Sequence, residues 1–278
     1  MSSPGDQYAK AERFRTLHAR PGAFVIPNPW DAGTARILAS LGLEALTTTS
    51  AGLAFALGRR DGRGRVTREE TLFNARSIAD ATDLPVAADL ENGFGDAPEE
   101  AALTIRLAGE AAGLVGGSIE DATGDPASPI YDFSHSVERI AASVEAARAL
   151  PFPFMLVGRA ENYLHGRPNL DDTIKRLQAY EKAGVDVLFA PGVTKPEEIR
   201  TLCSAVSKPV NAVMGIKGLT YTVAELADLG VRRISLGSVL SRVALGAFSR
   251  AAQEVLSHGT FNFVADAMPS AEANGYMD

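Results

Sequence analysis

A chain of 278 residues that is 46% hydrophobic can bury one large core, and its net charge of −7, with both signs spread along the chain, sets no basic face aside for nucleic acid or anionic lipid. A single cysteine, Cys203, excludes an internal disulfide and a zinc site built on several thiolates, and fits a reducing compartment. Residues 1–22 carry scattered charge without the apolar core of a signal peptide, and no later segment reaches the length of a membrane span. The expectation is a cytoplasmic protein whose partner is a small molecule, with no nucleic acid and no membrane.

From Ala23 onward, apolar runs alternate with amphipathic segments. The runs at 23–26, 45–49, 85–89, 115–119, 153–158, 186–190, 209–213 and 232–236 are short, mostly β-branched or apolar, and have a turn residue on at least one side, so they read as strands. Helical spacing fills the gaps, from Asp31 to Leu41, Arg68 to Ala81, Ala97 to Ala112, Ser134 to Leu150, Leu170 to Ala183, Pro196 to Val206, Val223 to Leu229 and Val239 to Leu256. Thr67, Asp96, Ser134 and Thr222 are placed to cap helices, and Gly42, Gly113, Gly184 and Gly230 to end them. No linker is long enough to mark a domain boundary. The pattern predicts a parallel (β/α)8 barrel as one domain over residues 1–278, with 239–278 as a C-terminal helical extension; an open doubly wound sheet is the alternative.

In such a barrel, chemistry belongs at the C-terminal ends of the strands. Asn28, Trp30 and Asp31 follow the first strand, Thr49 and Ser50 the second, Asp89 and Glu91 the third, Glu120 and Asp121 the fourth, and Arg159, Glu161 and Asn162 the fifth; Asn211 follows the seventh. Asp89 and Glu91, two apart in an extended chain, would deliver both carboxylates to one side. With Glu120 they suit a hydrated hard cation, Mg2+ or Mn2+. Arg159 could be a structural ion-pair partner or a fork that grips a carboxylate or enolate oxygen. Ser50-Ala-Gly-Leu53 reads as a small-residue turn whose amides could cradle an anion. Together these residues make a seat for a 2-oxo acid.

The segments Asp31-Ala-Gly-Thr-Ala35, Thr49-Ser-Ala-Gly-Leu53 with Leu57-Gly58 and Asp61 after it, Asp89-Leu-Glu-Asn-Gly-Phe-Gly95, Ile119-Glu-Asp121 and Gly158-Arg-Ala-Glu161 resemble the isocitrate lyase and phosphoenolpyruvate mutase superfamily from about Ala23 to about Leu256. The resemblance implies a lyase that breaks or moves a C–C or P–C bond beside a 2-oxo or 2-hydroxy acid through an enolpyruvate-like species. It implies Asp89 as the main magnesium acid, Glu91 and Glu120 acting on metal-bound waters, Arg159 on the oxyanion, and Ser50, Gly52 and Leu53 as the carboxylate cradle. Asp61 matches a further acid of that site, and the catalytic set is Arg159, Asp61 and Glu120, with Asn211 beside the substrate. It also implies a homo-oligomer, a dimer or tetramer, with the segment from Val239 docked on a neighbour.

The chain departs from that pattern at two places. Glu91 stands where better-known members have aspartate. The loop Asp121 to Tyr131 has neither the cysteine of the lyases' gating loop nor the lysine and asparagine of the mutases. His135 and His165 are set aside as solvated residues, and Cys203 as a small core hydrophobe. C–C cleavage or decarboxylation of a 2-oxo or 2-hydroxy acid is the leading reading; P–C chemistry of the phosphonopyruvate hydrolase or mutase type, and a non-catalytic binder of 2-oxo acids, are the alternatives.

Overall fold

The computed structural model describes residues 4–216 and 218–277. Its eight strands are β1 (Phe24–Ile26), β2 (Leu46–Thr47), β3 (Val86–Asp89), β4 (Gly116–Glu120), β5 (Met155–Arg159), β6 (Val187–Phe189), β7 (Val210–Val213) and β8 (Arg233–Ser235). All pair in parallel in the order β1-β8-β7-β6-β5-β4-β3-β2. The Thr47 amide donates to the Pro27 carbonyl at 3.1 Å and draws the two ends of that sheet together. The expected (β/α)8 barrel is the fold, and the open sheet is excluded.

The expected helices form as α2 (Ala32–Ser40), α4 (Arg68–Asp80), α5 (Pro98–Glu110), α6 (Phe133–Arg148), α7 (Leu170–Ala183), α8 (Pro196–Ser204), α9 (Val223–Asp228) and α10 (Val239–His258). Thr67 and Thr222 cap α4 and α9 in reciprocal boxes with Glu70 and Glu225. Gly42, Gly113, Gly184 and Gly230 all take positive φ between helix and strand. Two caps are corrected. α6 opens after Asp132 rather than at Ser134, and α5 opens after Ala97, because the Asp96 carboxylate is taken by the Tyr131 hydroxyl.

Two further helices arise where none was expected. α1 (Pro4–Ala19) buries Ala11 and Phe14 and bonds through Gln7, Lys10 and Arg13 to carbonyls in the last turn of α5 and in the turns that lead into β3 and β4. It therefore covers the N-terminal end of the barrel and leaves the other end open. α3 (Ser50–Ala56) replaces the expected small-residue turn; Thr49 caps it, and Gly52 sits so close to Thr49 and Trp30 that a Cβ would lie 2.5 Å from Thr49 Cγ2. After α10 come a 3-10 turn, Asn262–Asp266, and α11 (Ser270–Gly275). Val243, Phe248 and Leu256 on α10 are exposed. Among the described residues no helix is long and apolar enough to cross a membrane.

Candidate active site

The strand ends open into a cleft with two lobes that meet at Arg159. One lobe, about 330 Å³, runs into the barrel past Thr47, Ser50, Asp89, Ser118, Phe189 and Asn211. The other, about 290 Å³, lies outward among Glu91, Asn92, Glu120, Thr123, Glu161 and His165. Ser50, Asp61 and Arg159 border both. The structure thus brings Asp61, Asp89, Glu91, Glu120, Arg159, Ser50 and Asn211 to one cleft. Asp89, Glu120 and Arg159 come from strand ends as the barrel rule required, Asp61, expected from the resemblance, from the loop after α3, and Asn211 from within β7 rather than after it, a correction.

Each group is held by its element. Asp89 ends β3, and its Oδ2 accepts from Ser50 Oγ at 2.8 Å and from the Ser50 amide at 3.4 Å. Glu91 does not continue an extended chain: its φ is +49°, in a turn where Gly93 also has positive φ and lies against the Ala101 backbone with no space for a side chain. The reason given for pairing Asp89 with Glu91 is therefore corrected, since it is this turn that brings Glu91 into the cleft. Arg139, fully buried in α6, locks the turn by donating to the carbonyls of Asn92, Gly95 and Asp96.

Arg159 ends β5 beside Glu120 in register. Its Nε is engaged by Glu161, while Nη1 lies 3.2 Å from Glu120 and 3.5 Å from Asp89, and its guanidinium carbon stands 5.2 Å from the centre of the Phe189 ring. Burial works against its charge, but Glu161, Glu120 and Asp89 more than offset this and keep it cationic. The acids outnumber it. Burial, with Asp89 and Asp61 nearby, pushes the Glu91 carboxyl up to about 7, and burial also raises Glu120 well above the usual carboxylate range despite Arg159.

The expected amide cradle is corrected as well. The Gly52 amide donates to Thr49 Oγ1 at 3.2 Å and the Leu53 amide to the Thr49 carbonyl at 3.1 Å, so both are spent within the helix cap, and neither residue lines either lobe. Ser50 and Ala51 do line the inner lobe. Asn211 faces it too, donating to Ser235 Oγ at 3.0 Å.

Two groups left without a role in the sequence reading, Glu161 at a strand end and His165 set aside as solvated, both border the outer lobe. Glu161, only 3% exposed, orients Arg159; its amide donates to Asp121 at 2.8 Å. His165 lines the outer lobe with Nε2 3.9 Å from Glu161 Oε2, and burial holds its imidazole toward the neutral form. The turn that returns His165 to the cleft leaves no period in the sequence.

Among the described residues, no group of three or more Asp, Glu, His or Cys side chains is arranged to hold an ion directly. That rules against a closed cage. The donors are hard oxygens in excess of the one cation among them, which fits a magnesium or manganese ion bound through one carboxylate and several waters.

The phosphoenolpyruvate phosphomutase family matches residues 14–256. A Burkholderia cenocepacia J2315 protein of known structure, described only as a lyase/mutase, is 58% identical and superposes with a TM-score of 0.95 over 98% of this chain and 96% of its own. The 2-methylisocitrate lyase of Escherichia coli K12 is 29% identical over 281 residues, covering 96% of this chain and 90% of that one. An oxaloacetate decarboxylase of Bradyrhizobium sp. BTAi1 is 28% identical over 254 residues, covering 89% and 84%. The chain belongs to the phosphoenolpyruvate phosphomutase family and is a lyase of the isocitrate lyase/PEP mutase superfamily.

Proposed function

We propose that the protein is a magnesium- or manganese-dependent lyase of a small 2-oxo acid that favours decarboxylation, with an oxaloacetate-like compound as the substrate class. The observation that carries this reading is the surplus of carboxylates around Arg159 at the barrel mouth, beside a 121–131 loop without cysteine, lysine or histidine. Asp89 would hold the cation directly, and Glu91 and Glu120 would act through its waters. When bound, the cation draws electron density from the 2-oxo group. Arg159, fixed by Glu161, offers its Nη groups to the oxygen that becomes an enolate as CO2 leaves. Asn211 orients the carboxylate while Ser50 holds Asp89 in place, and water entering by the outer lobe, past His165, returns the proton to carbon.

A retro-aldol cleavage also needs a base to take a hydroxyl proton, and losing such a group costs about 10²–10⁴-fold. A decarboxylation does not. Side-by-side kinetics with oxaloacetate, isocitrate and 2-methylisocitrate test the reading: oxaloacetate should be consumed best, with activity surviving thiol alkylation. Efficient 2-methylisocitrate cleavage would refute it, and binding without turnover across the panel would favour a 2-oxo acid binder. The exposed Val243, Phe248 and Leu256 of α10 fit the homo-oligomer, a dimer or tetramer, in which this helix docks on a second copy.

A further inference from the structure

Below the cleft, the barrel interior is not filled by branched apolar side chains in the usual way. Thr47, Ser118, Asn211 and Ser235 line the inner lobe and make it a polar shaft. Arg233, the first residue of β8, also lines it, and is 5% exposed. Arg159, Phe189, Asn211 and Arg233 form one register row across β5, β6, β7 and β8. Register partners share a face, so all four point inward. Strands in such a barrel tilt by about 36° and stagger around it, which sets Arg233 roughly 8 Å nearer the floor than Arg159. The floor confirms this direction: the Arg233 guanidinium carbon lies 5.9 Å from the ring centre of Phe14 in α1.

At that depth the guanidinium has no answer to its charge. Among the described residues it has no ion-pair partner, and its Nε and Nη1 are buried without a hydrogen bond. Burial lowers its pKa only to about 10, so it stays protonated at neutral pH. His18 on α1 does not relieve it, because burial and the Arg233 charge hold its imidazole neutral. Asn211 Oδ1, next along the row, is buried and unpartnered too. A buried cation with two orphaned donors calls for an anion, and an orphaned acceptor beside it for a water that hydrates that anion.

We propose that Arg233 forms an anion subsite at the floor of the shaft that takes a carboxylate or a comparable small monoanion, separate from the Arg159 and metal-acid cluster at the mouth. Two sources share this chemistry: a far carboxylate of a long acid bound at the mouth, or a free small anion resident in the shaft. The subsite stands apart from the lyase reading, since it needs neither the metal nor turnover.

The test compares the wild-type protein with Arg233→Met, which keeps side-chain length and removes the charge. Sodium formate, titrated at constant ionic strength against gluconate, should raise the wild-type unfolding midpoint by at least ~3 °C near saturation and leave the variant unmoved. In wild-type crystals soaked in bromide, an anomalous peak should stand beside Arg233; this arm decides the matter if the variant does not fold. Equal formate responses in the two proteins, or bromide absent from Arg233, would overturn the proposal. Adding malate or glutarate then identifies the source: competition with formate assigns the subsite to a bound acid's far carboxylate, and independent binding assigns it to a resident anion.

Discussion

Glu120 and Asp121 are neighbours at the end of one strand, and the protein treats them in opposite ways. Asp121 is 1% exposed and turned outward beneath α7, where it accepts from the Glu161 amide, Arg176 Nη1 and the Tyr180 hydroxyl at 2.8, 3.0 and 2.8 Å. Glu120 faces the cleft, and its ion-pair partner, Arg159, is shared with Asp89 and Glu161. Both are buried enough to raise their pKa values, but the bonds to Asp121 counter burial on every side, whereas further acids add to it at Glu120. A buried carboxylate whose bonds are complete is architecture; one left short of donors beside a cavity marks a place for a ligand.

The comparison can be broken first at the short-handed side. Asp89→Asn removes a charge from the cluster without changing its shape, and should lower magnesium-dependent turnover by more than ~100-fold while the unfolding midpoint holds. Arg159→Lys keeps charge but loses the planar fork, and should cost at least ~10-fold in kcat/KM. Normal kinetics in that variant would make Arg159 a structural partner like Arg176.

The satisfied side should respond in stability instead. Asp121→Asn strips the acceptor from Arg176 and Tyr180, and should lower unfolding free energy by ~3 kcal/mol in denaturant titrations, with kcat/KM changed less than by Arg159→Lys. A reverse ranking would erase the distinction between the two acids.

A pH-dependent effect belongs to His18, at the covered end of the barrel. Its ring is buried between Phe14 and Phe24, its Nδ1 meets the Phe14 carbonyl at 2.8 Å, and burial together with Arg233 lowers its pKa to about 3. The unfolded chain binds this proton near 6.5 and the folded chain only near 3, so stability is whole above 6.5 and is lost as pH falls through that window, by at most ~1.4 kcal/mol per pH unit. Denaturant midpoints measured from pH 7 to 4 should fall less steeply in His18→Gln than in the wild type.

Much of this was legible in the chain. Eight apolar runs and four glycines at helix ends sufficed for the barrel, because strand burial and positive φ are local demands that a few residues satisfy. α1 was not legible: its charges are scattered, and only Ala11, Phe14 and a few others on it are buried. The site residues at strand ends followed from the barrel rule, but their geometry did not. Glu91 reaches the cleft through a left-handed turn, Gly52 and Leu53 spend their amides in a cap on α3, and His165 returns from a loop. Each depends on dihedral choices that spacing does not encode.

The central claim, that the acids left short of partners at the barrel mouth seat a hydrated cation and through it a 2-oxo acid, is tested most directly by calorimetric titration of the wild-type protein with oxalate, with magnesium present and then with the metal removed by chelator. Binding that requires magnesium, and returns when the metal is restored, is the result expected. Oxalate affinity indifferent to the chelator would contradict it, and would leave Asp89, Glu91 and Glu120 as partners of Arg159 alone.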